Sequence, residues 1–181
     1  MSFYTSLNGL KNAQSELSVI SNNLANAETT GFKKSRINFA DIVSGSASTN
    51  PRLVKGIGST VQTVDQDFSL GAIQQTGSAL DLDIDGEGFF TKVSPITGKT
   101  FYTRNGNFVM DGSGYITDST GNRLRVLPVD AAGNVTSTTP IDAQAPLVNG
   151  AGADFMAVTV KQDGSIQAAY SDGTSAVIGK V

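Results

Sequence analysis

An apolar stripe near the start of the chain limits what this sequence can fold into more than any other feature. Phe3, Leu10, Leu17 and Leu24 recur every seven residues, which places them on one side of a helix. A helix of about 25 residues is near 37 Å long, and a small β domain of about 120 residues is narrower than that. The stripe therefore predicts packing against other chains or against protein outside this sequence, with a surface helix lying on its own domain as the alternative.

The helix is predicted to span Ser2 to about Ala27. Leu7 extends the apolar side near its start, and Ile20 belongs to a second row beside the stripe. Gly31 suits the left-handed conformation that often follows a helix. We therefore expect the helix to end between residues 27 and 31.

Two asparagines near the end of this helix, Asn22 and Asn26, are one turn apart. Asparagine is mildly unfavourable inside a helix because its side chain competes for backbone hydrogen bonds. Either these amides bond to a partner, or they lie on an exposed polar face.

The composition changes after the helix. Only Gly9 and Gly31 of the 20 glycines precede residue 45, so turns concentrate in the later part of the chain. Residues 32–43 are predicted to form a short extended or helical packing segment, and residues 44–51 a flexible linker. The predicted divisions are an amphipathic helix at 1–30, a connecting segment at 31–75 and a β-rich domain at 76–181.

Alternation and turn residues predict an antiparallel sheet domain. Leu80, Leu82 and Ile84 alternate with aspartates, which is the pattern of a half-buried strand. Short apolar segments and Asn-Gly or Asp-Gly turns then alternate to the end of the sequence. The predicted turns lie at 85–86, 105–106, 111–112, 121–122, 133–134, 163–164 and 172–173. The predicted strands that follow lie at 101–104, 108–110, 115–117, 123–127, 156–161, 165–170 and 176–181. The predicted fold class is therefore mainly β with an N-terminal α-helix.

The residue types that are missing exclude several functions. The chain contains no Cys, His or Trp, which excludes disulfides, cysteine nucleophiles, Cys/His zinc sites and histidine bases. The formal net charge is −3, and the absence of a basic patch argues against nucleic acid as a partner. No apolar run approaches the ~18–20 residues that span a bilayer. The first residues also lack the basic start and apolar core of a secretory signal peptide.

One acidic motif, Asp81-Leu-Asp-Ile-Asp-Gly, copies the start of a calcium-binding EF-hand loop. The twelfth position of such a loop needs a bidentate Glu, but here it is Lys92. Strand alternation explains the same residues without a metal. No carboxylate spacing singles out an acid–base pair, and no Ser, Thr or Lys has an activating neighbour. We therefore predict no metal site, no cofactor and no enzymatic activity.

Three segments, in this order, resemble the axial proteins of the bacterial flagellum, which are the rod and hook proteins. The segments are Ser21–Asn26 followed by Thr30-Gly31-Phe32-Lys33, then Leu80–Phe90, and then Tyr102–Phe108 with Asp111-Gly112 and Gly121. The resemblance covers most of the chain and is weakest over 129–153. Within the family the chain is most similar to hook proteins, and the residues that carry this are Gly31–Ser35 with Asn38–Asp41 and Gln66–Gly71 with Thr76-Gly77.

The resemblance implies an inner coiled-coil layer of terminal helices and an outer, hairpin-rich β domain of the type called D1 in this family. The residues it implies for helix packing in assembly are Phe3, Leu7, Leu10, Leu17, Ile20 and Leu24. The residues that match the family signature are Asn22, Asn23, Asn26, Gly31, Phe32 and Lys33. The implied partners are other copies of the chain, neighbouring axial and hook-cap or junction proteins, and the flagellar export apparatus.

The function implied by the resemblance is structural. The chain is expected to polymerise into the hook, the universal joint that transmits torque from rod to filament, and to reach the flagellum without a cleaved signal peptide. A subunit of the rod, the drive shaft of the basal body, is the alternative within the family. Alternatives of other classes are a secreted β-rich adhesin or binding module with an oligomerisation helix, and a small glycan-acting enzyme.

The sequence departs from the family pattern at one point. The family's C-terminal helix and the outer inserted domain of hook proteins have no counterpart in these residues, so we expect a truncated or a short form. Without the second helix, the N-terminal helix is expected to be disordered alone or packed against a neighbouring copy, because isolated helices are marginal in water.

Overall fold

The computed structural model describes residues 2–44, 55–130 and 133–181. Its contacts group the chain into two compact units, Met1–Ser69 and Leu70–Val181. The helix and strands are α1 (Ser2–Ala25), β1 (Ser35–Ser44), β2 (Lys55–Gln66), β3 (Phe90–Val93), β4 (Thr100–Thr103), β5 (Val109–Met110), β6 (Ile116–Thr117), β7 (Arg123–Val126), β8 (Ile141–Asp142), β9 (Phe155–Val160), β10 (Ser165–Tyr170) and β11 (Ser175–Lys180).

The first unit consists of α1 and an antiparallel hairpin made by β1 and β2. Beyond Ala25 the hydrogen bonds tighten, since the Ala27 N–H donates to the Leu24 carbonyl at 3.2 Å. Gly31 then adopts a φ of 74°, which suits glycine because it has no Cβ. The helix packs against this hairpin, which agrees with the alternative of a surface helix lying on its own domain; the hairpin itself was not predicted.

The two strands of this hairpin lie within the predicted connecting segment, 31–75. β1 has 10 residues and β2 has 12, but their pairing shifts register after Asn38 and again after Ile42. Each shift inserts an extra residue and breaks the alternation of side chains, so the strand pattern is hidden in the sequence. The predicted linker at 44–51 begins at the last residue of β1, and its remaining residues lie outside the described ranges.

The second unit is built from two antiparallel sheets that share one core. Strands β4-β3-β7-β6-β5 form one sheet, with β8 paired to β7, and β11-β10-β9 form the other. An isolated bridge between Leu127 and Lys180 connects the chain after β7 to β11. The buried core residues are Phe90, Phe108, Ile116, Leu124, Val126, Ala143, Ala145, Val158, Ile166, Ala168 and Tyr170. The prediction of a mainly β fold with an N-terminal helix is confirmed.

One type of turn recurs through this unit. Each turn has five residues. The N–H of the first residue donates to the carbonyl of the fifth residue, and the N–H of the fourth residue donates to the carbonyl of the first. The fourth residue is a glycine with a positive φ. This is a three-residue hairpin loop with a left-handed glycine. Such turns span 111–115, 118–122, 149–153, 161–165 and 170–174, and the same two hydrogen bonds join Asp130 to Asn134 and Gly133 to Asp130. An Asp or Asn oxygen accepts a backbone N–H in every one of these turns, which favours a turn. All but the turn at 149–153 coincide with predicted turns, and there the same signal from Asn149 was missed.

Leu80–Ile84 differs from its predicted form. The apolar side chains pack on the core as expected, but the segment makes one isolated bridge, from Asp81 to Asn107, instead of a regular strand. The turn predicted at 85–86 does not close a hairpin with this segment, because the next strand, β3, pairs with β4 and β7. Alternation thus identified the buried face but not the strand partner.

Asn105-Gly106 is not the turn of a hairpin either. β4 pairs with β3, and β5 pairs with β6, so the strands on either side of this dipeptide belong to different pairs. Instead, the dipeptide brings the Gly106 carbonyl within 2.9 Å of the Leu82 N–H. The close approach of two backbones, rather than a tight reversal, explains the glycine.

A largely buried ion pair joins β3 to the turn between β6 and β7. The side chains of Lys92 and Asp118 are 18% and 11% exposed. Asp118 also accepts hydrogen bonds from the Thr120 hydroxyl at 2.7 Å and the Asn122 N–H at 2.9 Å. Burial raises the pKa of Asp118, but the hydrogen bonds from Lys92, Thr120 and Asn122 outweigh it and hold that pKa well below its ordinary value.

This lowered pKa predicts a loss of stability in acid. The unfolded-state pKa of Asp is about 3.9, so Asp118 stabilises the fold above that pH, and the contribution disappears as the pH falls through the lower folded value. Asp118→Asn is expected to reduce the free energy of unfolding by about 2 kcal/mol near pH 7, and by less near pH 3. Urea unfolding followed by circular dichroism measures both values, with the exposed Asp83→Asn as the control. A loss of the same size at both pH values would contradict the ion-pair explanation.

Candidate assembly surface

The helix residues predicted to pack in an assembly lie mostly on the exposed side of α1. Phe3, Leu10, Leu17, Ile20 and Leu24 are 72%, 68%, 63%, 53% and 76% exposed. We call these five residues the apolar row. Soluble proteins rarely expose a contiguous apolar surface of this kind unless it contacts a partner. Leu7, the sixth predicted residue, is half-buried and lies outside the row.

The side of α1 that packs on the hairpin is mostly polar. Its half-buried positions follow a spacing of three or four residues, as expected for one face of a helix. They are Leu7, Asn8, Asn12, Ser15, Val19, Asn23 and Asn26. Asn12 Nδ2 donates to the Ser59 carbonyl at 2.9 Å and to the Ser59 hydroxyl at 2.7 Å. The usual arrangement is therefore reversed, because the polar face of α1 packs within the unit and the apolar row is exposed.

The signature asparagines form the corner between α1 and β1. The Ser35 N–H donates to Asn23 Oδ1 at 2.9 Å, and Asn23 Nδ2 donates to the Ser35 carbonyl at 2.7 Å. Asn26, just after α1, donates from Nδ2 to the Asn22 carbonyl at 2.9 Å, so that amide bonds back to the last turn of the helix. Together with the positive φ of Gly31, these contacts fix how the chain leaves the helix and enters the hairpin.

The rest of the signature holds this corner to the end of β2. Lys33 Nζ donates to the Ser69 carbonyl at 2.9 Å, and Lys34 pairs with Asp67 at 3.2 Å. Hydrogen bonds from the hydroxyl and N–H of Ser69, together with Lys34, lower the pKa of Asp67 to about 2. Phe32 is half-buried beside them. The basic residues at 33 and 34 therefore have acceptors within the first unit.

The acidic motif that resembles an EF-hand has a different structural role. Asp81 accepts hydrogen bonds from the Thr76 hydroxyl at 2.5 Å and from Asn107 Nδ2 at 2.9 Å, while Asp83 and Asp85 are exposed. Within the described ranges, no group of three or more Asp, Glu, His or Cys side chains is arranged to hold a metal ion. In that same part of the chain, no helix has the length and apolar character needed to cross a membrane.

Sequence reasoning missed three residues that hold α1 in place, namely Asn12, Ser35 and Ser59. The Asn12 and Ser59 partners are 47 positions apart, which no local pattern can reveal. A signal for the helix side was nevertheless present, since Asn8, Asn12, Ser15, Asn23 and Asn26 all lie on one helical face. Of the two alternatives left open for the asparagines near the helix end, contact with a partner holds for this face, which packs on the hairpin.

Two family models match the chain. One, described as the flagellar hook protein FlgE/F/G D1 domain, matches residues 83–168. The other, described as flagella basal body rod protein, matches residues 3–33. The first match covers most of the second unit, and the second covers α1 with its signature corner.

Curated relatives include both rod and hook proteins. The flagellar basal-body rod protein FlgG of Bacillus subtilis is 44% identical over 137 residues, which cover 70% of this chain and 50% of the relative. The flagellar hook protein FlgE of Treponema pallidum is 38% identical over 136 residues, covering 69% of this chain and 28% of the relative. The flagellar hook protein FlgE of Salmonella typhimurium is 38% identical over 128 residues, covering 71% of this chain and 30% of the relative. The chain thus spans half or less of the length of these relatives.

Proposed function

Since this chain belongs to the family of bacterial flagellar hook and rod proteins, we propose that it is a structural subunit that polymerises with copies of itself into the axial structure of the flagellum. The observation that carries the proposal is the apolar row of α1. Five large apolar side chains, each more than half exposed, form a surface that a polymer of such subunits would cover.

The arrangement of the first unit supports this role for the row. The asparagine contacts and the half-buried positions of α1 already use its polar face for the hairpin. The apolar face thus remains for contacts with other helices, either from further copies or from a helix elsewhere in a longer chain. Burying a leucine contributes about 2 kcal/mol, so a row of this length provides a substantial driving force.

Within the family we propose the hook, with the rod as the second candidate. The hook proposal comes from the segments at 31–41 and 66–77, which resemble hook proteins. The rod is favoured by the 44% identity to a rod protein, compared with 38% for the hook proteins of Treponema pallidum and Salmonella typhimurium. Both assignments use the same surfaces and require no catalytic residue, and we propose no enzymatic role.

The proposal extends to location and partners. We place the subunit in the hook or basal body, exported through the flagellar apparatus without signal cleavage, next to other axial proteins and hook-cap or junction proteins. The relatives cited above are all named as hook or rod proteins, which supports this placement.

Deletion of the gene, followed by electron microscopy of purified basal bodies, tests the proposal. A rod that ends without a curved hook, restored by the reintroduced gene, would support a hook subunit. Loss of every structure beyond the inner membrane ring would support a rod subunit. A complete, rotating flagellum in the deletion strain would refute both assignments.

A further inference from the structure

The contact between α1 and its hairpin includes two asparagines, Asn12 and Asn23, that bond to different strands. Asn23 exchanges two hydrogen bonds with the backbone of Ser35, at 2.7 and 2.9 Å, in the way that one strand residue pairs with another. Asn12 donates to both the carbonyl and the hydroxyl of Ser59. Ser35 is the first residue of β1, and Ser59 lies in β2, so each asparagine holds a different strand.

Two such contacts define the position of a helix more completely than apolar packing does. The asparagines are eleven positions apart, which is about 16 Å along the helix axis. Apolar contact is non-directional, so it permits a helix to rotate or slide over a sheet. Amides that must meet fixed partners do not permit this, whether one donor and one acceptor as for Asn23 or two acceptors as for Asn12, because a small rotation leaves partly buried polar groups without partners.

We propose that Asn23 and Asn12 are positioning residues that fix the rotation of α1 on the hairpin and thereby aim the apolar row at its partners. The inference rests on the proposed function for its consequence in a polymer, but the positioning itself is a property of the single subunit. This proposal gives Asn23 of the family signature a physical role: its side-chain amide bonds to both the N–H and the carbonyl of Ser35, the first residue of β1.

Hydrogen exchange of the full chain tests the contact at Asn23. Asn23→Ala removes the acceptor of the Ser35 N–H. The exchange rate of the Ser35 N–H is therefore expected to rise about tenfold, which corresponds to the loss of one or two hydrogen bonds. Asn23→Asp keeps an acceptor for this N–H, so most of its protection should remain, although the bond to the Ser35 carbonyl is lost. The matched control is Asn22→Ala, at an exposed neighbouring position. Unchanged Ser35 exchange in Asn23→Ala would overturn the proposal.

Spin labels test the orientation directly. Since the chain contains no Cys, labels can be placed through Ser18→Cys on α1 and Gln62→Cys on β2, both at exposed positions. The distance distribution between the labels is expected to be narrow in the parent and in Asn22→Ala, and broad in Asn12→Ala and Asn23→Ala. Equally narrow distributions in all four proteins would show that the amides do not position the helix.

The consequence for assembly is measured separately. If the chain polymerises, Asn23→Ala is expected to raise the critical concentration at least about tenfold, since fewer subunits present the row in the competent orientation. If the labels show loss of orientation but the parent chain forms no polymer, the positioning stands and the proposed function fails. If the polymer forms equally well from a disoriented Asn23→Ala, the aiming role is refuted while the polymer itself stands.

Discussion

Replacing Leu17 by glutamate is expected to abolish polymerisation while leaving the single subunit folded. Leu17 is 63% exposed in the middle of the apolar row, and leucine and glutamate have similar helix propensities. The free energy of unfolding should therefore change by less than about 0.5 kcal/mol. In a polymer that covers the row, the change removes about 2 kcal/mol of leucine burial and places a carboxylate in an apolar contact, which costs more. Together these effects should raise the critical concentration more than about 100-fold.

Sedimentation of polymer over a range of subunit concentrations measures this effect, and thermal unfolding followed by circular dichroism checks the fold. Ser18→Glu is the matched control, because Ser18 is exposed and lies seven residues after Lys11, on a flank of α1 that already carries a charge. It should polymerise like the parent chain. Normal polymerisation of Leu17→Glu, or equal loss in both variants, would exclude the apolar row as the assembly surface.

Local chemistry made much of the second unit predictable. Asp118 and Asp111 each begin a five-residue turn in which the side chain accepts backbone N–H groups and the fourth residue is a glycine. Every element of such a turn lies within five consecutive residues, so the sequence alone locates it. The strands between the turns are short, and their bounds follow from the turns. The mainly β fold could therefore be predicted without knowledge of the pairing.

Contacts between distant residues set the limit of that prediction. The sequence predicts only a connecting segment where the β1–β2 hairpin lies. The bulges of the hairpin break the alternation of side chains, and the contacts that hold it against α1 join residues that are distant in the sequence. The pair formed by Asn12 and Ser59 spans 47 positions, and nothing near either residue points to the other. The apolar row is a different case. It was visible as a heptad pattern, and the structure leaves it exposed, but its role in assembly stays a prediction.

At Gly106, local turn chemistry and a contact with a distant part of the chain both bear on the prediction. The sequence identified Asn105-Gly106 as a turn on local chemistry, whereas the glycine is required by a backbone from another part of the chain. A Cβ at residue 106 would lie 1.7 Å from the Leu82 carbonyl oxygen and 3.1 Å from Phe90 Cε2. The Leu82 backbone cannot move away without breaking its 2.9 Å hydrogen bond to the Gly106 carbonyl. Phe90 is 2% exposed and packs edge-on against Phe108 at 5.4 Å between ring centroids, so it cannot yield either.

Gly106→Ala is therefore expected to lower the free energy of unfolding of the second unit by about 3 kcal/mol or more, at the upper end of the range for overpacked sites. Urea unfolding followed by far-ultraviolet circular dichroism measures the change, since the chain has no Trp for fluorescence. The control is Gly112→Ala, where a Cβ would meet nothing within 4 Å and no positive φ is required. That variant should differ from the parent by less than about 1 kcal/mol, because an alanine that fits without strain mainly reduces the entropy of the unfolded chain. Equal stabilities of the two variants would mean that Leu80–Leu82 does not cross Gly106 at the distance described, and the packing of this segment on the core would have to be redrawn.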